Sequence, residues 1–230
     1  MLVRLVAFAS CLLVAPVVTS ARPVVVELFT SQGCSSCPPA DAYLSELSRE
    51  RPEVLPLAFH VTYWNSLGWQ DPYSLEAATQ RQAEYSARFR ESAYTPEMVI
   101  DGQRRLVGSN RRAAEAAIKQ AQEADEAGVD VRGVRHGGTL SVTVGPGTGR
   151  GQVLVVGYDT GHVTRVGRGE NAGHALTESN IVRSIRSVGE WTGAPLKLEP
   201  ASPAGEQAAI LIQSPDGAII GAARVANEGP

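Results

Sequence analysis

Two cysteines separated by two residues, Cys34 and Cys37, are the residues of this chain best suited to chemistry. They follow an apolar run and precede a segment with helical spacing, so the first thiol is predicted to lie near the amino end of a helix. The partial positive charge there favours a thiolate and can lower a thiol pKa from ~8.5 to between ~7 and ~3.5. Such a pair can exchange disulfides, with Cys34 attacking and Cys37 resolving the mixed disulfide.

The same pair has two other interpretations. A zinc site needs two further ligands at a suitable spacing, and the sequence offers no second cysteine pair. An inert structural disulfide is also open, although so small a loop constrains the unfolded chain little. We therefore favour redox chemistry and keep both alternatives.

The elements predicted around the cysteines follow the order β-α-β-α-β-β-α, which is typical of a layered α/β domain. Continuous apolar runs predict buried strands, amphipathic spacing predicts helices, and Asp101-Gly102 predicts a hairpin turn. Asn110 is suited to cap the last helix. The predicted strands are 24–29, 54–61, 98–100 and 105–107, and the predicted helices are 41–47, 74–89 and 110–124.

The second half of the chain has a different pattern, in which short apolar runs alternate with turn residues. This pattern predicts a smaller all-β, sandwich-like domain over residues 128–230, after an α/β domain over residues 22–127. The short strands are predicted at 140–144, 153–158, 162–166, 181–188, 196–198, 208–213 and 218–225.

The first 21 residues have the pattern of a signal peptide. Arg4 precedes an apolar run over residues 5–18, and small residues end the segment at Ala21. The run is shorter than the ~20 residues of a membrane span. Removal of this segment would leave two of the three cysteines, and we expect an exported protein, periplasmic or secreted. The net charge of −3, without long blocks of like charge, argues against a nucleic-acid partner.

A further motif, Tyr94-Thr95-Pro96, stands immediately before the predicted hairpin. A strand, a CxxC motif and a helix, followed by Thr-Pro, a hairpin and a closing helix, resemble the thioredoxin superfamily. The resemblance implies that Pro96 is cis and faces the dithiol, and that Thr95 pairs with the backbone of a substrate. A trans proline at a strand entrance is the alternative.

A narrower resemblance covers nearly all of the chain after the signal segment. The sequence ELFTSQGCSSCPPAD is similar to that of secreted bacterial thioredoxin-like proteins of unknown function. Ser35-Ser36 between the cysteines departs from ordinary thioredoxins and leaves the direction of electron flow open. The other similar stretches are 60–64, 68–69, 71–72, 94–96, 169–171 and 189–193.

Three further residues are candidates around the dithiol. Glu27 is a carboxylate in a buried strand, and the thioredoxin resemblance implies a proton acceptor for Cys37, with a structural polar contact as the alternative. Trp64 is expected to form one wall of the substrate cleft, with ordinary core packing as the alternative. His60 is either a core histidine or, as in copper-delivering thioredoxin relatives, a metal ligand.

The sequence thus predicts an exported thiol–disulfide oxidoreductase that uses no cofactor. Its partners are expected to be proteins or small molecules that carry thiols or disulfides. The alternative is a non-enzymatic periplasmic binding or copper-handling protein of thioredoxin-like fold.

Overall fold

A computed structural model describes residues 22–124 and 128–228. The signal peptide predicted for residues 1–21 lies outside these residues. Among the described residues, no helix is both long and apolar enough to cross a membrane. The elements are β1 (Val24–Thr30), α1 (Pro38–Glu50), β2 (Val54–His60), α2 (Glu76–Phe89), β3 (Glu97–Ile100), β4 (Arg104–Val107), α3 (Arg111–Ala124), β5 (Val131–His136), β6 (Thr139–Val144), β7 (Gly151–Arg165), β8 (Ala175–Trp191), β9 (Leu196–Leu198), β10 (Gln207–Gln213), β11 (Ile219–Arg224) and β12 (Ala226–Asn227).

The molecule is a mixed α/β protein whose larger sheet has eight strands in the order β11-β10-β7-β8-β2-β1-β3-β4. Strand β1 lies inside this sheet, parallel to β2 and antiparallel to β3, and all of its residues are buried. Val24, Val26 and Leu28 pack with residues of α1 and α3, whereas Val25 and Phe29 pack with residues of α2. Helices on both faces explain why β1 is apolar on both.

Local sequence explains where the helices begin. Pro38 and Pro39 occupy the first two positions of α1, where the missing N–H groups would have no partner within the helix. The helix is longer at both ends than the predicted 41–47. The Asn110 side chain accepts a hydrogen bond from the Ala113 N–H at 3.2 Å, which confirms the predicted cap of α3.

The second half contains strands and no helix among its described residues, but it differs from the expected self-contained sandwich. Strands β7, β8, β10 and β11 continue the large sheet, because β8 pairs with β2 in parallel at Ala58 and Ile181. This pairing covers what would otherwise be an exposed apolar edge of β2. The predicted runs 153–158 and 162–166 belong to one long strand, β7.

The remaining strands form a second, four-stranded sheet in the order β12-β5-β6-β9. An apolar cluster that includes Val142, Val153, Trp191 and Ile210 joins this sheet to the larger one. Strand β5 was not predicted from the sequence, because half of its residues are arginine or histidine and it contains no apolar run.

Candidate functional site

Cys34 and Cys37 form a disulfide, with their Cα atoms 5.5 Å apart. The pair lies between the carboxyl end of β1 and the start of α1, in residues 31–37, here called the cysteine loop. Cys37 is the N-cap residue of α1. The loop is tight, because the Cys37 N–H donates to the Cys34 carbonyl at 3.2 Å and the Cys34 N–H donates to the Ser31 carbonyl at 3.1 Å. Both cysteines are 0% exposed. The disulfide expected from the sequence is present, and the surrounding chain covers it.

The amino end of α1 offers few hydrogen-bond donors to a thiolate. Pro38 and Pro39 have no N–H groups, so the two positions that usually supply them cannot do so. The Ser36 hydroxyl lies 3.4 Å from the Cys34 sulfur and can donate to it. Stabilisation of a Cys34 thiolate therefore depends on the loop itself more than on the helix.

The Thr95–Pro96 peptide bond is cis, which confirms the conformation expected for it. The Ser36 hydroxyl also lies 3.5 Å from the Thr95 carbonyl oxygen, so its single hydrogen can be donated either to this oxygen or to the Cys34 sulfur. The indole of Trp64 donates to the Thr95 hydroxyl at 2.8 Å. The structure thus brings Thr95, Pro96 and Trp64 together beside the cysteine loop, whereas their contacts with a substrate stay a prediction.

Further polar groups lie at the carboxyl ends of β1 and β2, next to the cysteine loop. Thr30 and His60 end the two strands and face each other in the parallel register. The Thr30 hydroxyl donates to an oxygen of Asp41 at 2.7 Å, and His60 Nδ1 lies 2.7 Å from Asp71 Oδ2. All four side chains are nearly fully buried. Asp41 belongs to the first turn of α1, four residues after Cys37.

Gln32 and Glu178 complete this buried polar cluster. The Gln32 amide donates to Glu178 at 2.6 Å, and the Gln32 backbone N–H donates to Asp71 at 2.9 Å. Glu178 also lies 3.7 Å from His60 Nε2. Because Gln32 is part of the cysteine loop, its hydrogen bonds connect that loop directly to the cluster.

The chain matches, over residues 25–213, the family described as "Protein of unknown function (DUF1223)". It belongs to this family. No curated protein matches it. The crystal structure of protein AGR_C_4864 from Agrobacterium tumefaciens is similar at 29% identity and a TM-score of 0.79, over 92% of this chain and 97% of that one. HBP35 of Porphyromonas gingivalis is similar in fold alone, at 13% identity and a TM-score of 0.56, over 89% of this chain and 74% of that one.

The pKa values of two groups in the cluster, Asp41 and His60, are both raised. Burial, followed by the charge of Glu178, raises the pKa of Asp41 to about 7. Burial alone would lower the pKa of His60, but the adjacent Asp71 carboxylate outweighs it and raises the value to about 9. At neutral pH the cluster therefore holds a protonated His60, and Asp41 is near its midpoint.

Glu27 requires a correction of the role expected for it. Its side chain is on the face of β1 that packs against α2, whereas α1 and Cys37 lie on the other face. The two carboxylate oxygens of Glu27 bind Arg81, at 2.5 and 3.1 Å, and the Tyr85 hydroxyl donates to one of them at 2.5 Å. Glu27 is thus one half of a buried ion pair, and its alternative reading as a structural polar contact fits the structure.

Only part of the buried cluster was predictable from the sequence. Asp41 stands in the CPPAD stretch, His60 ends a predicted strand, and Asp71 belongs to one of the stretches that carry the narrower resemblance. Glu178 carries no local signal. Among the described residues, no group of three or more histidine, cysteine and acidic side chains is arranged to hold a metal ion. His60 is held by Asp71 as a buried core histidine.

Proposed function

We propose that this chain is a thiol–disulfide oxidoreductase in which Cys34 and Cys37 are the redox-active pair. The observation that carries the proposal is the Cys34–Cys37 disulfide at the amino end of α1, on the edge of the sheet where parallel strands end. A bridge across two intervening residues adds little to folding stability, because the loop it closes is small. Reversible chemistry is the better account of the pair.

Support for a thioredoxin-like arrangement comes from the topology of the first half. Strands β2-β1-β3-β4 are adjacent, with β1 and β2 parallel and the other neighbours antiparallel. Helices α1 and α3 cover one face of these strands, and α2 covers the other. The Thr95–Pro96 segment stands opposite the cysteine loop, in the position that the resemblance assigns to substrate binding.

The reaction proceeds through two exchanges. The Cys34 thiolate attacks one sulfur of a substrate disulfide, forms a mixed disulfide, and releases the other substrate sulfur as a thiolate. The Cys37 thiolate then attacks the Cys34 sulfur, closes the Cys34–Cys37 bond, and releases the second substrate sulfur. Two electrons pass to the substrate, and both protons of the dithiol leave the cysteines.

Asp41 is the residue that takes the proton of Cys37 in this proposal. The side chain lies one helical turn after Cys37, and Cα–Cβ bonds in a helix tilt towards its amino end. The Asp41 N–H donates to the Cys37 carbonyl at 3.1 Å, so the two residues are coupled through the first turn. A pKa of about 7 matches the pH at which a base must accept this proton.

Mixed-disulfide trapping tests the proposal. Cys37→Ser protein treated with oxidised glutathione should accumulate a Cys34–glutathione adduct, detected by mass spectrometry, whereas Cys34→Ser protein should not. A glutathione buffer series then gives the reduction potential, which should be about −120 mV for an oxidant or about −270 mV for a reductant. No exchange, or a potential below ~−300 mV as for stable structural disulfides, would refute the proposal.

We also propose that the protein acts outside the cytosol. The signal-like pattern of residues 1–21 supports export, as does a chain whose other cysteines form one disulfide. Fractionation of cells that express the full chain would test this, with the processed form expected in the periplasm or medium.

A further inference from the structure

One loop of the second half reaches back over the cysteine loop. Residues 167–174, here called the strap, lie in the connection between β7 and β8, after the buried Val166, and all of them but one are exposed. That exception is Asn171, which is 6% exposed. A single buried polar side chain in an otherwise exposed loop indicates a specific contact, because burying an amide without partners costs free energy.

The partners of Asn171 are carbonyl groups of the cysteine loop. Its side-chain amide donates to the Gln32 carbonyl at 3.0 Å and to the Cys34 carbonyl at 2.9 Å. The neighbouring Glu170 accepts a hydrogen bond from the Ser35 N–H at 3.1 Å. The Cys34 carbonyl and the Ser35 N–H belong to the same peptide unit, so strap side chains engage both polar groups of the peptide bond that follows Cys34.

Trp69 packs against the strap. The strap backbone passes so close to this side chain that a Cβ at Gly167 or Gly169 would lie 3.3 Å from its atoms, and Gly169 has a φ of 77°. The indole of Trp69 also donates to the Gln32 side chain at 3.1 Å. Trp69 therefore contacts the strap and the cysteine loop together.

We propose that the strap is a cover that must open before a thiolate can reach Cys34, and that Asn171 and Glu170 are the positioning residues that hold it closed. The inference rests on the proposed function for the reaction that the strap controls. Its basis is the full burial of both sulfur-bearing residues and the convergence of three strap hydrogen bonds on the loop that carries them.

The controlled step is the attack on the protein disulfide. A thiolate of the reductant attacks the Cys34 sulfur, the Cys34–Cys37 bond breaks, and Cys37 leaves as a thiolate. A second thiolate of the reductant then attacks the sulfur bound to Cys34, becomes oxidised, and releases Cys34. In-line approach to a sulfur with no exposed surface requires the loop or its cover to move first.

Reduction of the oxidised protein by dithiothreitol tests the inference, with free thiols alkylated at intervals and counted by mass spectrometry. Asn171→Ala should accelerate reduction roughly 10- to 30-fold, the effect of two hydrogen bonds of ordinary net strength. Asn171→Asp should do the same, because a carboxylate has nearly the same size but no N–H donors. Glu170→Ala should accelerate it about fivefold.

Matched controls distinguish opening of the strap from a general loss of stability of the protein. Arg168→Ala changes an exposed strap side chain and should leave the rate within about twofold of native, by the small effect of most surface substitutions. Hydrogen exchange of the Ser35 amide should accelerate by the same factor as reduction in Asn171→Asp, where its acceptor Glu170 is retained, since one opening event breaks the Ser35–Glu170 hydrogen bond and uncovers the disulfide. Glu170 is exposed, so Glu170→Ala remains informative if Asn171→Ala fails to fold.

Native reduction rates in both Glu170→Ala and Asn171→Asp would overturn the inference. Failure of this inference and failure of the proposed function give different results. If the native protein forms no mixed disulfides but the strap variants are reduced faster, the cover stands and the oxidoreductase proposal fails. If mixed disulfides form and the variants react at the native rate, the oxidoreductase proposal stands and the cover fails.

Discussion

Replacement of Asp41 by asparagine should make the folded protein more stable and its redox cycle slower. The folded-state pKa of about 7 exceeds the ordinary value of 3.8 because the carboxyl group is buried and lies near Glu178. The folded protein therefore binds this proton more tightly than the unfolded chain. Its stability falls as pH rises from 3.8 to about 7, and the loss is complete above that pH.

The size of the effect follows from the same values. A difference of about three pH units, at ~1.4 kcal/mol each, corresponds to ~4 kcal/mol as an upper value. Asparagine cannot ionise, yet it retains an oxygen that can accept the Thr30 hydrogen bond. Asp41→Asn should thus raise the free energy of unfolding by up to ~4 kcal/mol at pH 8 and change it little at pH 4.

Urea denaturation of the oxidised protein, followed by tryptophan fluorescence at pH 4, 6 and 8, measures this gain. Asp130→Asn, which removes a largely exposed carboxylate, is the matched control and should show no such trend. Stopped-flow reduction of a model disulfide by reduced protein gives the second readout. Resolution by Cys37 should slow near neutral pH in Asp41→Asn and recover as hydroxide replaces the missing base.

Two results would refute this reasoning. A stability difference that is the same at every pH would show that Asp41 has no raised pKa. Superimposable pH profiles of resolution in the two proteins would show that Asp41 does not receive the Cys37 proton. The combined result, higher stability with slower resolution, is the pattern of a buried group kept for function.

Three other predictions follow from the same contacts. Glu27→Gln should lower the free energy of unfolding, measured in urea, by ~3–5 kcal/mol, because it leaves the Arg81 charge buried without a carboxylate partner. Replacing both residues by methionine should restore most of this loss, and an equal loss in the single and double variants would contradict the pairing. In reduced protein, Cys34 should alkylate faster than Cys37 at neutral pH, as the Ser36 hydroxyl stabilises its thiolate, and peptide mass mapping would detect the reverse order. Because the pKa of His60 is raised, its ion pair stabilises the protein below pH 6.5, and this contribution should be lost as pH rises through about 9. His60→Gln should remove that decline in a denaturation series, and an unchanged decline would exclude His60 as its source.

Sequence patterns were sufficient for features that depend on neighbouring residues. The continuous apolar run of β1 predicted a buried strand, and the helical spacing after Cys37 predicted α1, although the helix begins at Pro38, three residues before its predicted start. The CxxC spacing predicted the disulfide. Each of these features depends on backbone preferences or covalent reach over a few residues, so it is readable without the fold.

The orientation of Glu27 could not be read in this way. Two possible registers of the loop before Cys34 point the carboxylate to opposite faces of the sheet, and the sequence does not choose between them. Pairing of β1 with its neighbours, and the position of Arg81 on α2, direct it away from α1. The predicted proton acceptor is thereby an ion-pair partner, and Asp41 is the residue that we propose for that role instead.

The sequence by itself determined the cysteine pair, the local elements that flank it and the mixed α/β class. Only the tertiary structure decided what surrounds that pair. Asp71, Asn171 and Glu178 are 37 or more residues from Cys34 along the chain, and they reach its loop through the ends of β2 and β8. Contacts over such separations depend on strand pairing and chain reversal, which no local pattern of residue types encodes.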